Sequence, residues 1–251
     1  MTTILKELSI LDRFRWEVPP LGIKFFSRKP EGMEKLEGKR ALCEMLKKAQ
    51  EGKVFFAETP DHTCEAGLYV LGQAEAPGPY ISGEFGAGLK IFQEPRSAAR
   101  LYHYIPRIKP GVVNALAFAP MNALPFDPDI LIIQAQTFQT EILLRAMSYR
   151  SGRMWASKCS AAIGCAWLMV YPYLSGELNY MVTGLGHGMK RRELFPEGRQ
   201  LVSIPFDLLP EMLENLQEMP WELPAYQAKG TEFVQKLLDH LGLAGGEKKS
   251  G

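Results

Sequence analysis

The sequence predicts an α/β or α+β fold with two similar lobes built around mixed sheets. Short apolar runs bounded by Pro and Gly alternate with segments of helical periodicity along the whole chain, the interleaving of a layered protein. A glycine-broken phrase, "GEFGAGLK" at 83–90, recurs as "TGLGHGMK" at 183–190, so that Gly86, Gly88 and Lys90 reappear as Gly186, Gly188 and Lys190. Around it, Gly52 and Gly152, Cys64 and Cys165, and Tyr80 and Tyr180 keep their order at nearly constant spacing. These matches read as an internal duplication with a pseudo-two-fold axis, at a period too long for a solenoid. On this reading residues 1–110 are the N-terminal lobe, 111–218 the C-terminal lobe, and 219–251 a linker, a C-terminal helix and a flexible tail, all within one compact unit.

The elements follow in order. Residues 3–14 carry apolar side chains at helical spacing, and "LGIKFF" (21–26) is a strand entered through a Pro-Pro turn. Residues 38–51 form a helix with Leu42, Met45, Leu46 and Ala49 on one face and Gly52 as its stop. "KVFFA" is a short strand, and 64–71 is a short helix with Thr63 as N-cap. "VVNALAFAP" and "DILIIQ" read as buried strands, 138–150 as a helix, "RMWAS" as a strand matching "KVFFA", and 160–171 as a helix. Residues 207–218 and 226–242 complete the helices.

Composition removes several classes of function. Hydrophobic residues make up 46% and the formal net charge is +1, so no bulk field favours nucleic acid or an acidic substrate. Lys190-Arg191-Arg192 is a short solvated cluster. The opening segment mixes charges into its apolar residues, unlike a signal peptide, and 160–171 is too short to span a bilayer. These features read as a cytoplasmic protein without membrane or nucleic-acid partners, whose partner is a small molecule or metal cofactor, with room for a homo-oligomer.

The chemistry-bearing residues are few. Four cysteines without a secretion signal read as thiols or ligands. No C-x-x-C is present, but an iron–sulfur cluster can take dispersed ligands because the fold assembles them. Cys64 and Cys165 are equivalent in the repeat, and Cys43 on the preceding helix can face the same place; Cys159 has no counterpart. The competing reading is that these cysteines merely pack. Cys64 also opens a predicted helix with His62 two residues away, an arrangement open to a thiolate nucleophile, although His62 itself reads as an exposed loop residue. The two glycine phrases can form nests of N–H groups that bind an anion, with Lys90 adding charge and His187 replacing Ala87 in the second copy, or they can be tight crossovers. Lys24, inside an apolar strand, needs an anion or a partner if it is buried.

Longer phrases carry a resemblance. "PPLGIKFF", "ALCEMLKKAQEGKVFF", "CEAGLYVLG", "PRSAARLYHYIPRI", "FDPDILII", "CAWLMVYPYLSGELNYMVTGLGHGMKRR" and "LVSIPFDLLPEMLENL" are similar to the prokaryotic domain of unknown function 169 family, over roughly residues 18–217. The resemblance implies an architecture and candidate positions and names no activity. The family pattern places a further cysteine in the second glycine phrase, where this chain has Leu185, Gly186, His187 and Gly188.

The resulting expectation is a thiolate-bound metal or iron–sulfur centre held by Cys43, Cys64 and Cys165 between the lobes, in anaerobic redox or cofactor metabolism. The alternatives are a metal-free binder of an anionic metabolite using Lys24, Gly86, Gly88, Lys90, Gly186, His187 and Gly188, or a structural protein with packed cysteines.

Overall fold

The structure, a computed structural model, describes residues 8–223 and 230–243. Its strands are β1 (Leu21–Phe26), β2 (Phe55–Glu58), β3 (Ala115–Pro120), β4 (Ile130–Ala135), β5 (Asn179–Val182) and β6 (Gln200–Pro205). They form one six-stranded sheet in the order β2-β3-β1-β4-β6-β5, and every neighbouring pair is antiparallel. Among the described residues the mixed sheets expected from the interleaved pattern are absent, for a topological reason. Helix α1 (Leu42–Gln50) carries the chain from β1 to β2, which do run in the same direction, but β3 slots between them and pairs antiparallel to both. Strand β6 does the same between β4 and β5. Each half is a split βαβ arrangement, with its parallel strands one position apart.

The remaining helices are α2 (Glu65–Val70), α3 (Gly78–Ile81), α4 (Glu84–Gly88), α5 (Pro95–Tyr104), α6 (Thr137–Ser148), α7 (Tyr171–Ser175), α8 (His187–Arg191), α9 (Leu209–Glu218) and α10 (Thr231–His240). They cover both faces of the sheet, so the central strands are apolar runs buried throughout. Along β4 the side chains alternate: Ile130 and Ile132 join one core with α1, while Leu131, Ile133 and Ala135 join the other with α6 and α9. Strand β3 sends its large Leu116 and Phe118 to the first face and its small Ala115, Ala117 and Ala119 to the second. The first face carries the candidate site.

Several local expectations change in the structure. Residues 8–14 are a 3-10 helix, and residues 3–7 lie outside the described chain. Gly52, at φ +89°, does end α1. The N-cap of α2 is Cys64, not Thr63. The segment 153–157 forms no strand; side chains hold it instead, with Trp155 Nε1 donating to Ser148 Oγ and Ser157 Oγ donating to the Tyr180 carbonyl. The helix expected at 160–171 is a π-helical turn, Ala166–Val170, running into α7, and Tyr171 N–H donates to Ala166 O. Pro172 sits in the first turn of α7 and has no N–H to continue an α-helical ladder. The last expected helix is described only as α10, because 224–229 lie outside the described residues, as does the tail from 244.

The expected duplication is not shown by this architecture. A two-fold relating the antiparallel neighbours β1 and β4 stands normal to the sheet and keeps each element on its own face. The first helices of the two halves, α1 and α6, lie on opposite faces. "KVFFA" supplies β2, whereas its proposed counterpart forms no strand. Both glycine phrases contain a short helix, but in different registers: Gly86 lies inside α4, while Gly186 is the N-cap of α8. The halves share a strand order and a split βαβ arrangement.

Candidate thiol-lined site

A cavity of about 140 Å³ opens on the first face of the sheet, and three of the four cysteines line it. Each arrives on a different element: Cys43 in the first turn of α1, Cys64 at the N-cap of α2, and Cys165 at the N-cap of the π-helical turn. These elements converge because each buries an apolar stripe against the same face, through Leu42, Met45 and Leu46 from α1, Val70 from α2, and Leu168 and Met169 from the π turn. Tyr80, Tyr102 and Ile163 complete the wall, and His187, Gly188, Arg191 and Arg192 bring in α8. All four cysteines are free thiols; Cys159 is exposed and outside the cavity.

The thiols sit in a demanding electrostatic setting. Burial, above all, pushes the Cys43 thiol up to about 11; neighbouring Arg192 opposes this, while Cys64 and Glu44 add to it. Burial likewise pushes Cys165 well above the ordinary thiol range, with Cys43 and Cys64 contributing. Burial pushes Tyr80 up to about 12, reinforced by Cys64 and Tyr102. At neutral pH Cys43 and Cys165 are therefore protonated in the free chain. Losing those protons needs positive charge beyond that of neighbouring Arg192, of the kind a metal ion would supply. Among the described residues no three His, Cys, Asp or Glu side chains stand close enough to hold a single metal ion.

Two backbone features shape the wall. Ile163 has φ +50°, a conformation that costs a β-branched residue strain. The next residue, Gly164, passes close to the second glycine phrase: a Cβ there would lie 3.5 Å from Gly186 Cα, and His187 N donates to Ala161 O at 2.9 Å. Arg192 spans the rim, with Nε 3.6 Å from Glu44 Oε1 on α1 and Nη1 donating to Gly188 O at 3.0 Å.

Of the other sequence candidates, only His187 and Gly188 line this cavity. Gly86 is buried beneath α5; a Cβ there would stand 2.8 Å from Phe92 Cδ2 and 2.9 Å from Tyr102 Oη. Gly88 and Lys90 are exposed. Lys24 Nζ donates to the Asp127 carbonyl at 2.7 Å, so a backbone oxygen is its partner. Lys190 pairs with Glu197 at 3.0 Å at the surface. His62 corrects the exposed-loop expectation. It is 8% exposed, and neither ring nitrogen has a hydrogen-bond partner among the described residues. It does not line the thiol cavity and makes no hydrogen bond to Cys64. Burial pushes its pKa down to about 4, partly offset by Asp61. Its turn is clamped from Arg40, whose N–H donates to Asp61 O while its carbonyl accepts Thr63 N–H.

Sequence reasoning missed Tyr102 and Ile163. Tyr102 was accessible to it: Ala98 and Tyr102 lie four residues apart on α5 and both are buried, the spacing of one helix face. Nothing in the local sequence announces the positive φ of Ile163.

Among the described residues no helix is long and apolar enough to cross a membrane. No solved structure matches the chain. An uncharacterized protein of Methanocaldococcus jannaschii, MJ0308, is 26% identical over 219 residues, covering 85% of this chain and 91% of that protein. The model of the domain of unknown function 169 family, described as "Uncharacterised ArCR", matches residues 9–215, a span holding the entire sheet and all three cavity cysteines, and the chain belongs to that family.

Proposed function

We propose that the chain binds an iron–sulfur cluster, or another multinuclear thiolate-bound metal centre, in this cavity and serves anaerobic redox or cofactor metabolism. The observation that carries this reading is that Cys43, Cys64 and Cys165, from three separate segments, line one cavity. Packing alone gives thiols no reason to gather. A single tetrahedral ion at about 2.3 Å from each sulfur holds its thiolates about 3.8 Å apart, and no such triad stands among the described residues. A cluster places several metal and sulfide atoms between its cysteines and so suits thiols spread around a cavity.

The test is reconstitution of oxygen-free protein with ferrous iron and sulfide, followed by iron and sulfide analysis and visible spectroscopy. The wild type should gain colour and stoichiometric iron. Cys64→Ser and Cys165→Ser should lose most of it, and Cys159→Ser should keep it. Equal iron in the wild type and a Cys43/Cys64/Cys165 triple serine variant would defeat the reading.

A further inference from the structure

The thiol-lined cavity carries fixed charge of one sign. Arg191, the last residue of α8, and Arg192, its C-cap, both line it, and no Asp or Glu does. Glu44, 3.6 Å from Arg192, partly neutralises that residue from outside the lining. Arg191 is exposed and makes no ion pair or side-chain hydrogen bond among the described residues. Cys43 and Cys165 are protonated at neutral pH, so neither offsets the two cations. The charge of Arg192 is felt at the thiols, since it opposes the effect of burial on Cys43. Much of the remaining lining is apolar, including Phe85, Ile91, Ile163 and Met189. The volume of about 140 Å³ is close to the roughly 150 Å³ that accepts a benzene ring, a body of about six non-hydrogen atoms.

We infer that the metal-free cavity binds a small monocarboxylate with a short alkyl body, of about six non-hydrogen atoms in all. The carboxylate pairs with Arg191, and the alkyl part lies against the apolar lining. Charge selects the first feature. A free guanidinium offers a carboxylate two parallel hydrogen bonds, and a lining without acidic residues does not repel it. Exposure selects the second. Arg191 is exposed, whereas Met189, Cys43 and Cys165 are buried, so a ligand that pairs with Arg191 inside the cavity leaves its remaining atoms to buried apolar surface and neutral thiols. A strongly hydrated oxyanion without an alkyl part gains nothing from that surface and loses water to it. The inference concerns the metal-free chain and stands or falls without the metal reading.

The test uses metal-free full-length protein and butyrate, titrated by ligand-observed NMR, with butyramide as the uncharged counterpart and inorganic phosphate as an anion without an apolar body. The wild type should bind butyrate, and should bind butyramide and phosphate each about tenfold more weakly. Arg191→Gln, at an exposed position, should weaken butyrate about tenfold and leave butyramide unchanged. Lys190→Gln removes the same charge from the neighbouring residue, which lies outside the cavity and pairs with Glu197, and should bind butyrate as the wild type does. No butyrate binding by the wild type overturns the proposal. Equal weakening by Arg191→Gln and Lys190→Gln also overturns it, because bulk charge would then be the attraction. Phosphate binding as tight as that of butyrate overturns the apolar body. Protein that takes up iron and sulfide yet ignores butyrate refutes this inference alone, and protein that binds butyrate yet takes up no iron refutes the metal reading alone.

Discussion

Replacing His62 with leucine should change how stability responds to acid. The imidazole is buried with both nitrogens unpartnered among the described residues, and its pKa is held near 4 against an ordinary 6.5. The unfolded chain therefore takes up a proton near pH 6.5, whereas the folded chain resists until near pH 4. Between those values the unfolded state binds more protons, so stability falls as pH drops. Working from the two pKa values, the loss between pH 7.5 and pH 5 is about 2 kcal/mol, approaching about 3 kcal/mol below pH 4. His62→Leu removes this term and also removes two buried polar atoms, so at pH 7.5 the variant should equal the wild type or exceed it by about 1–3 kcal/mol. Urea unfolding at pH 5 and 7.5, followed by tryptophan fluorescence, reads both effects. Other titrating groups act equally in the two proteins and cancel in the comparison. Identical pH slopes for the wild type and His62→Leu would refute the burial argument.

The two glycines of the first phrase should separate in a stability assay. Gly86→Ala places a Cβ within 3.0 Å of Phe92, Tyr102 and Ala98 and should cost about 1–3 kcal/mol by overpacking, whereas Gly88→Ala meets open space and should be nearly neutral by thermal denaturation. Gly83→Ala combines φ +81° with a Cβ 1.9 Å from the Pro95 carbonyl and should cost more than about 3 kcal/mol, enough to show as loss of soluble protein. Because burial pushes the Cys43 and Cys165 thiols up, metal uptake must release their protons; iron incorporation measured across pH 6.5–8.5 should climb with pH, by about tenfold in affinity per unit for each proton released.

The sheet was legible where apolar density alone decides an element. "LGIKFF", "ALAFAP" and "ILIIQ" form strands in the structure, and the periodic segment ending at Gly52 forms α1. Strand direction was not legible, because β3 and β6 insert between strands that the chain visits earlier, and no local residue records that. The π turn was hidden for a similar reason: Pro172 warns that the helix is disturbed, but not that the ladder widens. His62 lies between Asp61 and Thr63, with no apolar periodicity to mark it as interior; the clamp from Arg40, distant in sequence, buries it. The cysteines were paired through a repeat that the structure does not show. They share a cavity because α1, α2 and the π turn cover one face of the sheet.

That shared face has a consequence for biosynthesis. Cys43 and Cys165 are separated by 122 residues (165 − 43), and Arg192, on the rim, comes later still. A chain leaving the ribosome holds two of the three thiols long before the third wall is synthesised, and contacts so distant in sequence form late in folding. Until then Cys43 and Cys64 are open to solvent and to stray metal or oxidant. On the proposed metal reading, the centre would assemble only after translation has passed residue 192, so that its loading would be a maturation step and the nascent thiols would need protection until then.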